Sequence, residues 1–388
     1  MTPQERRDLF KRTRASKQTQ YGVELWTRDG VRICEITPYV QNLYWVEERN
    51  EAEVLQFSMD LDVFERYMIN SVGADPVSNF REGQTEIKIK EKRGNGPWVY
   101  LFGTQLFYAP INLNNDGSAT IGVNAEGYLN FFKDRYPDPA VKYTGVESVQ
   151  ISRNLITQAQ SVANGNYGII LPGSGYYTTT KNRDRSFEQY TSSTKLNIQR
   201  LTALVDGTFD FKFLADKTYM TYPAIGSPRT DFRISFDRAN FRSTVDSAVL
   251  NRGANNLFNL IHGIGSGFGA DQLITHQSDL ASQVEFKVRE LPVQFNEVKD
   301  STTLIENAQA RLERVKKLLR MPQYTMSGAD LPDNRLEIGD IVPVVMTGRR
   351  LLEDLTGLYR VERMEVHVDD NHFLQAVTPY FEKTGDYA

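Results

Sequence analysis

The chain has 388 residues and a mass of 44.3 kDa, with 45 Lys plus Arg against 49 Asp plus Glu and a net charge of -4. At ~150 residues per domain this length holds two or three compact units, and 40% hydrophobic with 11% aromatic residues is enough to fill cores. The charge balance excludes a chain-wide polycation for binding nucleic acid, leaving only a local basic patch for that role, and no nucleic-acid sequence recognition is expected; no run approaches the ~20 apolar residues of a spanning helix, and the lone Cys34 excludes an internal disulfide framework or an all-cysteine zinc site.

In chain order, residues 1–18 read as a basic helix: Thr2 caps it, Pro3 suits the first helical position and Glu5 completes a capping box. No apolar run follows Arg6, Arg7, Lys11, Arg12, Arg14 and Lys17, so this is not a secretory signal. Glu5 and Asp8 interrupt the charge, and the basic face reads as solvated surface. The chain is expected to be made in a cytoplasm and kept there, or assembled there into something larger.

From Tyr21 the texture is β. Tyr21–Trp26 and Val31–Ile36 flank Asp29-Gly30, a dipeptide suited to a tight hairpin. Further strands are expected at 43–46, 54–59, 86–90, 98–107 and 119–123, with a short helix at 63–68 and a turn at Asn115-Asp116-Gly117. Short strands at regular spacing indicate an antiparallel barrel or sandwich. Two prolines in Arg135-Tyr-Pro-Asp-Pro139 block both helix and central strand and mark a domain boundary.

Val149, Ile156, Ala159 and Ala163 recur at helical spacing before Gly165, predicting an amphipathic helix over 146–164. The Gly-, Ser-, Thr- and Tyr-rich stretch 168–195 reads as an exposed loop or wide hairpin. Strands are expected at 208–214, 231–236, 254–264 and 283–289. A helix over 301–320 aligns Leu304, Ala308, Leu312, Val315 and Leu319 on one face, with Pro322 stopping it. That face is expected to pack on a C-terminal barrel, leaving Arg311, Arg314 and Lys317 as a candidate interface. Residues 337–378 return to hairpin-like β structure.

Two segments echo each other: Glu82-Gly-Gln-Thr-Glu-Ile-Lys-Ile89 leads into 98–107, and Glu337-Ile-Gly-Asp-Ile-Val-Pro-Val344 leads into 358–368. Each pairs an acidic residue with a glycine before a β run, grounds to suspect two related β domains. Backbone-geometry roles are expected of Asp29 and Gly30 in the first hairpin and of Gly83, Gly103, Gly339, Asp340 and Gly357 in and beside these segments.

Several of these runs carry a resemblance. Glu24-Leu-Trp-Thr-Arg-Asp-Gly30, the run 256–269 ending in Gly-Ile-Gly-Ser-Gly-Phe-Gly, the segment 289–298, the capped helix, and Glu337-Ile-Gly-Asp-Ile-Val with Gly357-Leu-Tyr-Arg-Val361 resemble the tail-hub or minor tail proteins of long-tailed, siphovirus-type bacteriophages, similar to baseplate hub proteins. The resemblance implies a mainly β, α+β chain with two antiparallel barrel-like tube domains and a lateral helix-containing insertion. Three copies would form a homotrimer whose six barrels continue a hexameric tail tube. Implied partners are a tail-tube or distal tail protein, a tape measure protein and tail-tip or receptor-binding proteins, in a virion tail assembled in the host cytoplasm. The domains read as the basic helix 1–18, a first tube domain 19–133, a lateral helix-plus-loop domain 134–205 and a second tube region 206–388 carrying the helix 301–320.

No pattern for chemistry survives its requirements. Gly263, Gly265, Gly267 and Gly269 lack the Lys-Ser/Thr ending of a phosphate loop, and Gly173-Ser174-Gly175 and Gly265-Ser266-Gly267 lack the outer glycine of a nucleophile elbow. His367 and His372 are close in sequence, but Asp370-Asn371 between them reads as a hairpin turn with solvated tips rather than a metal site. Tyr176, Tyr177 and Tyr190 read as core or subunit contacts ahead of a sugar-stacking surface. The expectation is a structural protein that is not an enzyme, with no catalytic residue, cofactor or metal. The alternatives are a tail-tip cell-wall hydrolase acting through paired carboxylates and a carbohydrate-binding host-recognition module.

Overall fold

Alternating apolar side chains build the first strands, and turn residues set their pairing. β1 (Thr19–Thr27) and β2 (Arg32–Glu35) meet at a turn in which Gly30 takes φ +82° and donates to the Thr27 carbonyl at 3.0 Å, a conformation a β-carbon disfavours. β3 (Gln41–Glu48), β4 (Val54–Asp60), helix α1 (Leu61–Tyr67), β5 (Thr85–Arg93), β6 (Trp98–Tyr108), β7 (Ile111–Leu113) and β8 (Ala119–Gly127) follow. Asp60 caps α1 by accepting from the Val63 amide. The structure, a computed structural model, describes residues 19–204, 207–237, 242–243, 245, 247–296, 298–317, 319–327, 336–347 and 355–385. The helix expected over 1–18 lies outside the described residues.

The chain then leaves the sheet. β9 (Val141–Glu147), α2 (Ser148–Ser161), β10 (Asn182–Phe187), α3 (Thr194–Thr202), β11 (Asp210–Phe213) and β12 (Tyr219–Tyr222) enclose a lateral core that includes Leu129, Phe132, Val149, Ile156, Ile198 and Phe211. β13 (Ile234–Asp237), β14 (Arg242–Ser243) and β15 (Ser247–Gly253) return to the sheet. A second excursion holds β16 (Leu260–Ile264), β17 (Ile274–Ser278), α4 (Leu280–Phe286), β18 (Glu290–Gln294) and α5 (Ser301–Val315). The chain closes with β19 (Leu319–Ser327), β20 (Ile341–Thr347), β21 (Gly357–Val368) and β22 (Leu374–Gly385). β15 and β19 pair from Ser247↔Thr325 to Gly253↔Leu319, so the second excursion is an insertion at the open end of a hairpin.

A 15-stranded sheet joins the rest. Its first half runs β2-β1-β5-β6-β8-β4-β3, and its second half runs β14-β13-β20-β21-β22-β19-β15. Matched by position in the chain, the two orders are the same. The echoing segments are β5–β6 and β20–β21, the fifth and sixth strands of this repeated order. One pairing departs from it: β13 runs parallel to β20, whereas β1 runs antiparallel to β5. The halves join edge to edge, β21 on β3, from Arg363↔Glu48 to His367↔Tyr44. They share one core, in which Trp45, Ile89 and Phe102 meet Val361, Val366 and Phe381. Among the described residues the strand ladders do not close into a barrel, although an isolated bridge, Gln20↔Phe373, links β1 to the β21–β22 turn, and the fold is mainly β with α. No helix among the described residues is long and apolar enough to cross a membrane.

Four elements differ from the sequence expectations. The last helix ends at Val315, with the Lys316 amide on the Leu312 carbonyl, and Leu319 starts β19 instead of extending the helical face. Pro322 therefore sits in a strand, tolerated because β22 pairs with β19 only from Gln323 onward. α5 packs on the small sheet of β16, β17 and β18, with Ala308 and Leu312 in one cluster with Ile261, Leu291 and Val293 and Leu304 over Gly263 and Gly265, rather than on the C-terminal strands. Residues expected as a strand over 283–289 begin in α4, because the Asp279 carboxylate caps the Ser282 amide. Finally, the stretch 168–195 holds β10, paired with β9, and the start of α3, capped by Ser193.

Candidate assembly site

The join between the halves is built around Arg49, the residue after β3. Its amide donates to the Glu362 carbonyl at 2.9 Å, its Nε meets the Glu362 carboxylate at 2.7 Å, and its Nη1 meets Asp210 at 3.1 Å. Asn50, at φ +59°, donates to Asp210 at 2.8 Å and accepts from the Phe211 amide. The second Asp210 oxygen accepts from the Ile225 amide at 2.9 Å. One planar guanidinium thus ties the first half, the second half and the lateral core together, the geometry for which arginine is suited and lysine is not. Burial opposes the Arg49 charge, but the Glu362 and Asp210 carboxylates outweigh it and hold the group above the ordinary arginine range. Burial in turn pushes the Glu362 carboxyl up despite Arg49.

The sequence-predicted turn Gly339-Asp340 lies where the chain re-enters the sheet. Gly339 at φ +86° and Gly226 at φ +81° stand back to back, and a β-carbon on Gly339 would lie 1.9 Å from the Ile225 carbonyl oxygen. Asp340 accepts from the Ser227 amide at 3.0 Å, the Glu337 amide at 3.0 Å and Arg229 at 2.9 Å. Gly103 serves close approach: a β-carbon there would meet the Tyr128 hydroxyl at 2.2 Å. That hydroxyl donates to Glu86 at 3.0 Å, and Lys217 reaches the other Glu86 oxygen at 2.5 Å while donating to the Arg28 carbonyl. Burial pushes the Glu86 carboxyl up, with Lys217 and Tyr128 working against it.

Gly83, at φ +72°, precedes β5, and Gly357 opens β21 opposite Val344. Asp29 and Gly30 form the β1–β2 turn, away from these. Arg311 and Arg314 lie exposed on α5 and Lys317 lies exposed just past its end, none of them near the turns; an Arg314 Nη2 comes within 3.5 Å of the Ala203 carbonyl. Sequence reasoning missed Arg49, Asp210, Glu86 and Lys217. Glu86, Lys88 and Lys90 alternate with isoleucines along β5, and all three are buried.

His367 packs beside Tyr44, and the His372 carbonyl accepts from the Tyr21 amide across the β21–β22 turn. A different pair meets on the small sheet, where His262 and His276 approach to 2.7 Å between Nδ1 atoms and Glu290 lies 3.4 Å from His262 Nε2. Among the described residues no group of three or more His, Cys, Asp or Glu side chains is arranged to hold a metal. Tyr176 carries the Arg153 guanidinium over its ring, Tyr177 is half-buried against the lateral core, and Tyr190 donates to Asp138 at 2.7 Å.

Glu53 supplies a pH signature. Its carbonyl accepts from the Gly127 amide at 2.8 Å, and burial pushes its carboxyl up to about 7, with Lys212 offsetting part and Glu51 adding to the rise. The folded value lies above the unfolded one near 4.5, so the folded chain keeps a proton that the unfolded chain releases. Stability from this group is complete below pH 4.5 and is lost as pH rises through 7. Glu53→Gln is expected to leave the melting temperature unchanged near pH 4.5 and to raise it at pH 8, read by thermal melts across that range. Equal effects at both ends would contradict the assignment.

Solved structures with this fold include three tail proteins, two of them from prophages. They are the tail protein from Neisseria meningitidis (TM-score 0.60, 11% identity, covering 94% of this chain and 97% of that one), and the 43 kDa tail protein of prophage MuSo2 from Shewanella oneidensis (TM-score 0.59, 13% identity, 94% and 98%). The third is prophage tail protein gp18 from Listeria monocytogenes, with TM-score 0.55, 11% identity, and coverage of 94% and 95%. No protein-family profile matches the chain, and no curated protein sequence does. The chain has the fold of phage and prophage tail proteins, and at the level of fold the resemblance read in its sequence is shown.

Proposed function

We propose that this chain is a structural, non-enzymatic tail-hub protein that joins a phage tail tube to the tail tip and its host-recognition apparatus. Each half of the sheet is one barrel-like tube module: residues 19–133 form the first, 206–388 carry the second, and 134–205 form the lateral unit, to whose core β11 and β12 also contribute. Three copies close into a homotrimeric ring of six modules, a pseudo-sixfold wall that matches a hexameric tube. Asp29, Gly30, Gly83, Gly339, Asp340 and Gly357 set the backbone turns of the modules, and Gly103, inside β6 rather than in a turn, admits the close approach of Tyr128. Arg311, Arg314 and Lys317 offer an outward contact to a neighbouring protein. The partners are a tail-tube or distal tail protein, a tape measure protein and tail-tip or receptor-binding proteins, and the complex assembles in the host cytoplasm.

The observation that carries this reading is the repeated seven-strand order with its edge-to-edge join, in a chain whose fold spans 94% of its length in common with tail proteins. Closed cyclic assembly would also cover sheet edges that otherwise invite uncontrolled pairing. Mass photometry of the purified chain is expected to give a particle of three 44.3 kDa subunits, and zymography on cell wall no lysis. A monomer at every concentration, or lysis abolished by a single Asp or Glu substitution, would overturn the reading.

A further inference from the structure

The two halves of the sheet differ at one edge. In the second half the Gly339 amide, at φ +86°, donates to the Val361 carbonyl at 2.7 Å. Just beyond that point β21 receives β3. In the first half the Gly83 amide, at φ +72°, donates to the Leu106 carbonyl at 2.8 Å. Beyond it, the same edge of β6 and β7 carries no strand among the described residues; β8 lies on their other side.

Placing Leu106 on Val361 puts Ile111 on Val366 and Leu113 on Val368. Val366 and Val368, beside the β3 ladder, are 1% and 4% exposed, whereas Ile111 and Leu113 are 53% and 79% exposed. Phe107 and Tyr108 next to them are exposed as well. A run of exposed apolar side chains on an unpaired strand edge is a surface that native proteins cover.

The matching free edge is on β15. In the repeated order β15 is the counterpart of β3, since each is the third strand of its half. β3 has β4 on one side and β21 on the other. β15 has β19 on one side and, among the described residues, nothing on the other, with Val249 exposed.

We propose that β15 of a second copy of this chain pairs antiparallel with the β6–β7 edge, reproducing between copies the β3–β21 ladder found within the chain. Carrying the register through the shared strand order places Val249 opposite Asn112, give or take one residue. Pro110 has no N–H, so the ladder lacks one donor there. Each copy presents one acceptor edge and one donor edge on different strands. Such a head-to-tail contact closes into a ring when its rotation permits and otherwise runs into a filament. The inference rests on the ring reading above and adds which edges meet.

The test combines Val249→Cys with Ile111→Cys, Asn112→Cys or Leu113→Cys in the full chain, oxidised and run on non-reducing gels beside mass photometry. The native Cys34 is buried, and the single-cysteine variants serve as controls. One of the three pairs is expected to join the copies covalently into an oligomer the size of the unmodified particle, with no cross-link from either single variant. A particle that persists while none of the pairs cross-links would overturn this interface and leave the ring standing. Monomers at every concentration would overturn both. Leu113→Glu gives an independent readout: it is expected to release monomers with an unchanged melting temperature, and an intact particle would count against the proposal.

Discussion

Gly339→Ala is expected to cost ~3–5 kcal/mol in equilibrium unfolding, because it combines a disfavoured backbone conformation with a backbone clash. The position has φ +86°, and the added carbon would lie 1.9 Å from the Ile225 carbonyl oxygen, a main-chain atom that has no rotamer to escape through. Moving the turn also loosens the three hydrogen bonds to Asp340 that hold the re-entering segment. Gly30→Ala separates the two causes. Gly30 has φ +82° with nothing within 4 Å of an added β-carbon, so it should cost only ~1–2 kcal/mol for the left-handed conformation. Denaturant melts of both variants check this, and equal losses would show that the Gly339–Ile225 approach carries no weight.

Arg49→Leu is expected to cost ~2–4 kcal/mol, since breaking a buried pair by removing one partner leaves carboxylates without their cation. Asp210 is 4% exposed, and its other bonds to Asn50 and Ile225 fix it in place. Glu362 is partly exposed and contributes less. Arg49→Lys should recover only part of the loss, because an ammonium does not bridge two carboxylates as a planar fork does. A double-mutant cycle with Asp210→Asn measures the coupling. A loss below ~1 kcal/mol for Arg49→Leu, the range of an exposed ion pair, would mean that the three-way junction is incidental to stability.

Local chemistry made most strands legible, together with the turns at Gly30 and Gly117 and the helical face of Leu304, Ala308 and Leu312. Competition between periods hid other elements. Leu319 stands four residues after Val315 and so continues a helical stripe, but pairing with Gly253 claims it for the sheet. Gln283-Val-Glu-Phe-Lys-Val-Arg289 alternates like a strand, and the Asp279 cap decides for a helix over its first four residues. Asn182-Arg-Asp-Arg-Ser-Phe187 shows no alternation, and its pairing with β9 makes it a strand. The Gly-x-x-Glu86-Ile-Lys88-Ile-Lys90 pattern was legible as a strand, but its charged face is covered by lateral residues distant in sequence, such as Tyr128 and Lys217. The Arg49 junction was the least legible part, since Arg49 and Glu362 are 313 positions apart and no local pattern records such a pairing.

In the proposed ring, two copies of one strand order within each chain become six equivalent places. Electron microscopy of the purified assembly, reconstructed without imposed symmetry, tests it most directly. The expected map has a threefold axis, two sheet modules per chain, and a continuous wall in which β3–β21 joins within chains alternate with β15–β6 joins between them. A particle without a threefold axis, or one in which the two halves of each chain occupy unrelated positions, would contradict it.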